Sequence, residues 1–431
     1  MKKSLILLMA VLLALSWYMA LGSGSEAEAK YQQAMENAAS FEERELYLDA
    51  IEQYEAAMEN HEDNAPIMLR IAEIYRKLGE DNSYLEELKE VVSRYGPLES
   101  AVSQIYDYYI GANRENNAIE YISGLHDSYP EDEVVARYYR EVSRNYYQLY
   151  YEYQQIGSFL GGYAVYEYEG KKGVIDTAGE VLLKAAYDEI RIPLKTSEGF
   201  PVRVANQVYL ISEKGYKIAQ PETEYQELGI LSDKRYLVKQ DGKYGYLTED
   251  LEPCTQFQWE DATNYRDGIA AVKSGGKWAF INKKGEFLTE YIYLDVKRDE
   301  QNFCSGQGRI WVQDATGYHL LDTELKEVSQ DTYEDVRFFA SEQPCAVCKD
   351  GKWGFLNTNG ELILTCQYEE ADSFSIGYAP VKKDGLWGYL GLDGTMLIEP
   401  AFDEVKGFNQ NGTAPVRIGE SWVLIQLGIY R

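Results

Sequence analysis

A short motif recurs through the second half of the chain and constrains its fold more than any other feature. The motif joins glycine, lysine, an aromatic residue and usually a second glycine, and two apolar residues follow. Successive copies lie close to 35 residues apart, with one longer step before the copy at Thr316. Because a unit of this length cannot bury a core alone, each unit must pack on its neighbours. Intact and eroded copies begin at Gly170, Asn206, Gly242, Gly276, Thr316, Gly351, Gly385 and Glu420.

Each unit has the pattern of short antiparallel strands. In PVKKDGLWGYLG, Asp384-Gly385 joins two alternating runs and predicts a two-residue type I′ turn. A large ring in the second strand can fill the space between neighbouring units, and the glycine after it lets another backbone approach. These structural positions are Tyr244, Gly245, Trp278, Trp353, Gly354, Trp387 and Gly388. The sequence gives no reason to assign binding to any particular residue.

The second half of the unit also recurs, as YDEI at Tyr187, YEDV at Tyr333, YEEA at Tyr368 and FDEV at Phe402. Together the two halves resemble the WG-repeat family of bacterial β-repeat proteins. The resemblance implies an all-β array of about eight repeats over residues 156–431. The array either closes as a propeller or continues as an open solenoid. One strand pair exceeds whole units, and it could cap an open end or close a ring.

Residues 30–155 show a different, helical period. Ala50, Tyr84 and Ala118 lie 34 residues apart, and positions four and seven residues after each are also apolar. Such spacing marks one helix face. A partner helix, PIMLRIAEIYRKLGEDN, precedes the one at Tyr84. This arrangement resembles the tetratricopeptide repeat, which implies stacked antiparallel helices whose concave groove holds a peptide or protein segment.

The resemblance fades at the end of the helical half. Arg140 and Ser143 stand where a fourth unit should have small and aromatic residues. We therefore interpret the last helix, running into the tyrosine-rich stretch 145–153, as a capping helix or a bridge to the next domain.

The first residues predict export. Lys2 and Lys3 precede an uncharged apolar run from Leu5 to Leu21, which as a helix spans about 26 Å. We expect a retained signal anchor in residues 1–29 with the lysines on the cytoplasmic side. The alternative is a signal peptide cleaved near Ala20-Leu21-Gly22, which would give a secreted protein. In both cases the domains at 30–155 and 156–431 lie outside the cytoplasm.

Charge and cysteine content exclude several protein classes. The chain has 42 basic and 71 acidic residues, a formal net charge of −29, which disfavours nucleic acid as a partner. Five cysteines are too few and too scattered for a disulfide scaffold. Cys345 and Cys348 fall on opposite faces of a predicted strand, so we expect one buried and one exposed thiol, with no metal between them.

No catalytic constellation is visible. The three histidines, His61, His126 and His319, lie in different repeat units, and none neighbours a nucleophile. The chain has no phosphate-binding glycine loop and no paired-histidine metal motif. The sequence therefore predicts a protein without catalytic residues, metal or cofactor.

Three functions remain for comparison. The first is an interaction scaffold that is tethered to the membrane of the bacterial cell envelope and binds protein or peptide partners. The second is a cell-wall glycan-binding module, suggested by the 38 tyrosines. The third is hydrolysis by two carboxylates in a cleft between the halves. A glycan module needs several aromatic rings on one open face, whereas a scaffold can bury its rings.

Overall fold

The computed structural model describes residues 26–59, 61 and 63–430. Residues 1–25 of the predicted signal segment, 1–29, lie outside the described residues. Within the described part of the chain, no helix has the length and apolar character to cross a membrane. The chain divides into two compact units, Met1–Val142 and Ser143–Arg431, so the boundary falls earlier than the one placed at residue 155 from the sequence.

The first unit is a stack of helices. Helices α2, α4 and α6 begin 34 residues apart, and so do α3, α5 and α7, which confirms the predicted period. Seven helices lie within its described residues: α1 at 26–43, α2 Tyr47–Met58, α3 Ala65–Leu78, α4 Asp81–Tyr95, α5 Glu99–Gly111, α6 Glu115–Ser128 and α7 Glu133–Val142.

The periodic apolar positions form the core of this stack. Ala50 and Tyr54 of α2 are buried, and so are their counterparts Tyr84 and Leu88 of α4. Gly79 ends α3 in the left-handed conformation that glycine adopts without steric cost. The helices therefore form where the sequence places an apolar face and a terminating glycine.

The last helix, α7, ends at Val142, and the tyrosine-rich stretch that follows it is a strand. Tyr146–Tyr153 form strand β1, which pairs antiparallel with the last strand of the chain. Tyrosine favours strands when a partner is available. Here the partner lies at the other end of the sequence, in a register that joins Tyr146 to Leu427 and Tyr153 to Trp422.

The second unit is a β-propeller whose described residues form eight antiparallel sheets, here called blades 1 to 8. Blade 1 contains β2 Gln155–Ile156, β3 Tyr163–Tyr168, β4 Lys171–Asp176 and β5 Val181–Tyr187, and blade 2 contains β6 Glu189–Ile190, β7 Phe200–Val204, β8 Gln207–Ile211 and β9 Lys217–Ala219. Blade 3 contains β10 Glu227–Ser232, β11 Arg235–Gln240 and β12 Lys243–Thr248, and blade 4 contains β13 Asp261–Ala262, β14 Ile269–Ser274 and β15 Lys277–Asn282.

Blade 5 contains β16 Asp295–Val296, β17 Ser305–Gly306, β18 Arg309–Asp314 and β19 Gly317–Asp322, and blade 6 contains β20 Asp335–Val336, β21 Cys345–Lys349, β22 Lys352–Leu356 and β23 Leu362–Tyr368. Blade 7 contains β24 Glu370–Ala371, β25 Tyr378–Lys383, β26 Leu386–Gly391 and β27 Met396–Phe402, and blade 8 contains β28 Glu404–Val405, β29 Thr413–Ile418 and β30 Ser421–Leu427, together with β1. Short single-turn helices lie at Thr196–Glu198 and Gly428–Tyr430. Seven of these eight sheets thus begin with a strand of two residues, whereas blade 3 begins with the six-residue strand β10.

Blade 8 closes the ring, because its first three strands come from the end of the chain and its outer strand is β1. Trp422 and Leu424 of blade 8 share a core with Ile156, Ala164 and Ile175 of blade 1. The eight repeats therefore form a closed propeller, and the open solenoid is excluded. The excess strand pair noted in the sequence contributes to this closure.

The predicted turns also form. Asp384 and Gly385, between β25 and β26, both have positive φ, at 53° and 81°, as a type I′ turn requires. The same pair of positive angles recurs at Asp350 and Gly351 between β21 and β22. The Asp-Gly dipeptide of the repeat therefore forms a tight turn in these two blades, and Asp241 and Gly242 of blade 3 show the same positive angles.

Candidate binding surfaces

The aromatic ring of each repeat motif packs against the following blade. Trp278 of blade 4 is buried against Val296 and Ile310 of blade 5. Trp353 of blade 6 is buried against Ala371 of blade 7. Tyr244 and Trp387 are half-buried and contact the cores formed with blades 4 and 8.

Cationic side chains cover several of these rings. The guanidinium of Arg337 lies 4.1 Å from the centre of the Trp353 ring. Trp278 has Arg298 at 5.2 Å and Lys273 at 5.6 Å. A ring that packs on a blade and is approached by a cation offers little free face for a sugar.

The glycines of the motif lie beneath an approaching backbone. A Cβ on Gly354 would lie 2.5 Å from the Leu364 oxygen, and one on Gly388 would lie 2.5 Å from the Ile398 oxygen. At Gly245 the nearest group is the Phe257 ring, at 2.7 Å. The outer strands β23 and β27 therefore pass so close to Gly354 and Gly388 that neither position has room for a side chain.

The recurring acidic pair has a structural role that sequence reasoning missed. Its first carboxylate accepts backbone N–H groups of the next tight turn, as Glu369 does from Asp384 and Gly385, each at 3.1 Å. Glu260 accepts from Gly275 and Gly276, and these bonds lower the pKa of its carboxyl. The regular spacing between the acidic pair and the following turn was the available signal.

The second carboxylate of the pair binds a basic residue on the neighbouring strand. Glu370 binds Lys382 at 3.1 Å, and Glu404 binds Arg417 at 2.7 Å. The acidic pair thus joins strand to strand and strand to turn. These carboxylates are held by bonds within the fold.

The longer repeat step before Thr316 corresponds to a loop, residues 297–303, that crosses the centre of the ring. Ser158 of blade 1 donates to the Glu300 carboxylate at 2.6 Å, although blades 1 and 5 stand on opposite sides. The Gln301 amide donates to the Ile192 carbonyl of blade 2 at 3.1 Å. We call residues 297–303 the crossing loop, because it bridges one mouth of the central channel.

A partly buried aspartate fixes the crossing loop. Asp299 accepts from the backbone N–H groups of Gln301 and Phe303 at 2.9 and 2.8 Å, and from Arg266 at 3.2 Å. Burial nevertheless raises the pKa of Asp299. The guanidinium of Arg266 also lies 3.5 Å from the centre of the Phe303 ring. The loop is thus held by blade 4 at its base and by blades 1 and 2 at its tip.

Charged groups collect at the same mouth. Asp372 retains accessible surface although many protein atoms lie around it. This enclosure raises the pKa of Asp372; the nearby Glu300 adds to the effect, whereas Arg337 and Lys406 oppose it. Within the described residues, no cluster of histidine, cysteine and carboxylate side chains has the arrangement to hold a metal ion.

The two neighbouring cysteines lie on opposite faces of β21, as predicted. Cys345 joins the core shared with Trp311, whereas Cys348 joins the core that contains Trp353. The expectation that Cys348 is exposed is wrong, because that second face is covered by blade 7. Burial raises the pKa of both thiols, which favours their protonated form.

The helical unit has a pocket of about 360 Å³ between α1 and α3. Tyr31 and His61 stack at one side of it, with ring centres 4.5 Å apart. Apolar surface comes from Met35 and Ile67, and Arg70 closes one end. The remaining lining residues are Tyr54, Asp63 and Pro66. We call this the α1–α3 pocket.

Arg70 is held by carboxylates and is not free to bind another one. It donates to both oxygens of Glu42, at 2.9 and 2.7 Å, and also to Glu73. Lys77 reaches Glu42 at 2.8 Å. Burial raises the pKa of Glu42, but its bonds to Lys77 and Arg70 outweigh burial and hold the pKa below its usual value. The α1–α3 pocket is therefore a rigid apolar and aromatic cavity with a fixed polar end.

Comparison with protein families identifies the β-repeat. The family model for the WG containing repeat matches residues 245–278, 353–387 and 387–422. The propeller thus carries WG repeats, in agreement with the resemblance seen in the motif. A search of curated proteins gives no match.

Solved structures with low similarity include a eukaryotic initiation factor, with 9% identity over 66% of this chain and 85% of that chain, and a TM-score of 0.40. BBS1N in complex with ARL6DN has 11% identity over 64% of this chain and 92% of that chain, with a TM-score of 0.32. The CNH domain of AfRom2 has 10% identity over 66% and 99%, with a TM-score of 0.32. These values support no inference about what this chain binds.

Proposed function

We propose that this protein is a non-enzymatic interaction scaffold, exported and tethered to the membrane of the bacterial cell envelope. Its tetratricopeptide-like helical unit holds a peptide segment of one partner, and the WG-repeat propeller docks a second protein. The α1–α3 pocket is the observation that carries the proposal. It is an apolar and aromatic cavity on a helical stack, and Arg70 at one end is already bound to Glu42.

The dimensions of the α1–α3 pocket suit a side chain of a bound peptide. Pockets of about 300 Å³ or more that are mostly apolar, with a few fixed polar groups, commonly hold organic groups. Tyr31 and Met35 supply apolar surface, and Arg70, which is held by Glu42, closes one end. We expect an apolar or aromatic side chain to enter and the adjoining backbone to cross α1 and α3.

The positions of exposed rings favour a scaffold over a glycan-binding module. Tyr168 is 56% exposed at the end of β3, beside the β3–β4 turn. Tyr216 is 70% exposed in the β8–β9 turn. Turns of these two kinds point to opposite faces of a propeller, because successive strands in a blade are antiparallel. These rings therefore do not form one stacking platform.

The absence of catalysis in this proposal is supported by the bonding of the carboxylates. Asp299 carries a raised pKa but already accepts two backbone N–H groups, and Asp372 accepts the backbone N–H of Ser373. His319 contacts Asp314 and Thr316 on the turn between β18 and β19. These groups stabilise loops and turns, so we assign them no reaction.

Export and tethering are supported by the sequence of residues 1–29. Cell fractionation with an antibody to the propeller tests them directly. A retained anchor places the chain, with its original N-terminus, in the membrane fraction and exposes it to protease added outside the cytoplasm. Release of a shortened soluble chain would support the alternative of a cleaved signal peptide, and protection from the protease would contradict export.

A capture experiment tests the scaffold. Full-length chain in lipid nanodiscs is used as bait for detergent-solubilised envelope proteins, beside a binding assay with purified cell-wall sacculi. Tyr31→Ala with Met35→Ala removes the apolar surface of the α1–α3 pocket. Leu48→Ala, an exposed position on α2, is the matched control.

We expect a defined protein to be captured by the wild type and the Leu48→Ala chain but lost with the pocket variant. Saturable binding to sacculi that survives in the pocket variant, without capture of such a protein, would contradict the scaffold and favour the glycan module. Circular dichroism of each variant checks that the helical unit remains folded.

A further inference from the structure

The outer segment of blade 4, residues 286–294, presents an apolar strip to solvent. From Leu288 to Leu294 every second side chain faces outward, and the alternate ones face the blade. Leu288, Ile292 and Leu294 are 47%, 49% and 46% exposed. Phe287 extends the exposed apolar surface beyond Leu288. We call these four residues, with Glu290 between them, the blade 4 strip.

Packing of the blade does not require these residues. The inward Tyr293 ring contacts Phe280, with ring centres 5.6 Å apart, and Tyr291 joins the core of blades 3 and 4. The core is therefore built by the alternate side chains. Leu288, Ile292 and Leu294 contribute to it only through the half of their surface that is covered.

Neighbouring blades provide an internal comparison. The units of blades 3, 4 and 5 align without a gap between the tight turn and the next inner strand. Where blade 4 has Leu288, Glu290, Ile292 and Leu294, blade 3 has Cys254, Gln256, Gln258 and Glu260, and blade 5 has Val328, Gln330, Thr332 and Glu334. Blade 4 alone among these three carries large apolar residues at three of the four positions.

Leu294 also replaces a residue with a structural task. Its counterparts Glu260 and Glu334 accept N–H groups of the following tight turn. In blade 5 the turn residue Asp314 instead accepts the Thr316 N–H at 2.7 Å within the turn itself. Leu294 thus stands where the other two blades have a carboxylate, and Asp314 supplies the acceptor for the turn instead. An exposed apolar strip on an otherwise highly acidic protein indicates a contact surface.

We propose that the blade 4 strip docks an extended segment of a basic partner protein whose facing side chains read apolar, basic, apolar. This inference rests on the proposed scaffold function and names the partner class of its propeller. Leu288 and Ile292 would receive the apolar side chains, and Glu290 between them would receive the basic one. The distance from Leu288 to Leu294 is at most about 20 Å, so about six residues of an extended partner cover it.

The negative charge of the protein favours a basic partner over a second copy of the chain. The chain carries a net charge of −29, so a second copy would bring like charge to the strip. Glu260 of blade 3 lies near Tyr291, where burial and this carboxylate raise the pKa of the tyrosine. Glu290 and Glu260 therefore place negative charge beside apolar surface. A cationic extended segment complements both features.

Binding of a defined peptide tests the inference. The probe is a fluorescein-labelled seven-residue peptide in which valine, lysine and isoleucine alternate with threonine. A second peptide has glutamate in place of lysine. Binding to the full-length chain in nanodiscs is followed by fluorescence anisotropy. Ile292→Gln with Leu294→Glu gives blade 4 the residues of blade 3, and Val328→Gln with Thr332→Gln is the matched control on blade 5.

We expect saturable binding of the lysine peptide and at least roughly tenfold weaker binding to the blade 4 variant, because apolar contact area is lost. The blade 5 variant should bind like the wild type, and the glutamate peptide should bind more weakly than the lysine peptide. No binding to the wild type, equal binding to the blade 4 variant, or equal binding of the glutamate peptide would overturn the inference.

Two further measurements separate the remaining explanations. Wild-type self-association that the blade 4 variant abolishes, seen by sedimentation velocity, would overturn the inference in favour of a second copy. The Tyr31→Ala, Met35→Ala chain should still bind the lysine peptide, because the α1–α3 pocket is elsewhere. If peptide binding fails while this pocket still captures its protein, the strip assignment fails and the scaffold function stands.

Discussion

Replacing the motif glycine of blade 6 by alanine tests how the repeat units pack. A Cβ at Gly354 would lie 2.5 Å from the Leu364 oxygen, 2.7 Å from the Cys366 nitrogen and 2.8 Å from the Thr365 carbon. All three are backbone atoms of β23, so no side-chain rotation relieves the clash. The backbone conformation at Gly354 itself is ordinary, because its φ is not positive. Any loss of stability therefore reports on the approach of β23.

The magnitude follows from the required movement. Ordinary carbon contacts begin at 3.4 Å, so β23 must move outward by about 1 Å, and overpacking of this kind costs about 1–3 kcal/mol. Weakened hydrogen bonds between β22 and β23 add about 1 kcal/mol. We expect Gly354→Ala to lower the free energy of unfolding by about 3 kcal/mol, equivalent to roughly 5 °C in Tm for a unit of this size.

Differential scanning fluorimetry and urea unfolding of the full-length chain measure this loss. Gly407→Ala is the matched control, because the new Cβ would meet no atom within 4 Å and φ is again not positive. We expect the control to be neutral or slightly stabilising. Blade 4 has Ala279 at the motif position. There the outer segment does not form a close strand, and its Thr289 hydroxyl accepts the Phe280 N–H. A Gly354→Ala chain as stable as the control would refute the packing argument.

Three further predictions concern closure, the ion pairs and the crossing loop. Deleting residues 1–142 should leave a stable propeller, whereas deleting residues 1–154 removes β1 and should lower its urea midpoint; equal midpoints would contradict ring closure by β1. Glu42→Gln should destabilise the helical unit by about 1 kcal/mol at pH 7. Because the folded pKa of Glu42 is lowered, the difference should shrink as the pH falls below 4.5, the ordinary glutamate value; a constant difference would disprove this linkage. Ser158→Ala should speed amide hydrogen exchange in the crossing loop, and unchanged exchange would show that Glu300 does not need this bond.

The repeat architecture was predictable because its signals are local. Tight turns are encoded by local dipeptides such as Asp350-Gly351 and Asp384-Gly385, and each helix by its own apolar face. A unit shows these features regardless of what lies elsewhere in the chain. The 34-residue helical period and the eight β-repeats were therefore visible in the sequence.

Ring closure was not predictable, because it depends on a pairing between distant parts of the chain. The tyrosines of β1 can belong to a strand or a helix until β30 supplies the register. The same holds for the crossing loop. Its extra length was visible before Thr316, but its contact with Ser158 exists only because blades 1 and 5 face each other across a ring.

The candidate surfaces were only partly predictable. An alignment of blades 3 to 5 would have revealed Leu288, Ile292 and Leu294 as departures from the repeat. Their exposure, however, depends on which side chains of the outer segment face the blade. The α1–α3 pocket was harder to predict from the sequence, because Tyr31 and His61 contact each other only after the chain has folded back on itself.

The most direct test of the closed propeller is a disulfide between its two ends. Tyr147 and Gln426 are paired across β1 and β30, at a distance that suits a disulfide. We expect Tyr147→Cys with Gln426→Cys to form a crosslink that mass spectrometry identifies after proteolysis, and Tyr147→Cys with Gln330→Cys to form none. Failure of the first pair to crosslink in the folded chain, under conditions that oxidise exposed thiols, would contradict a ring closed by β1.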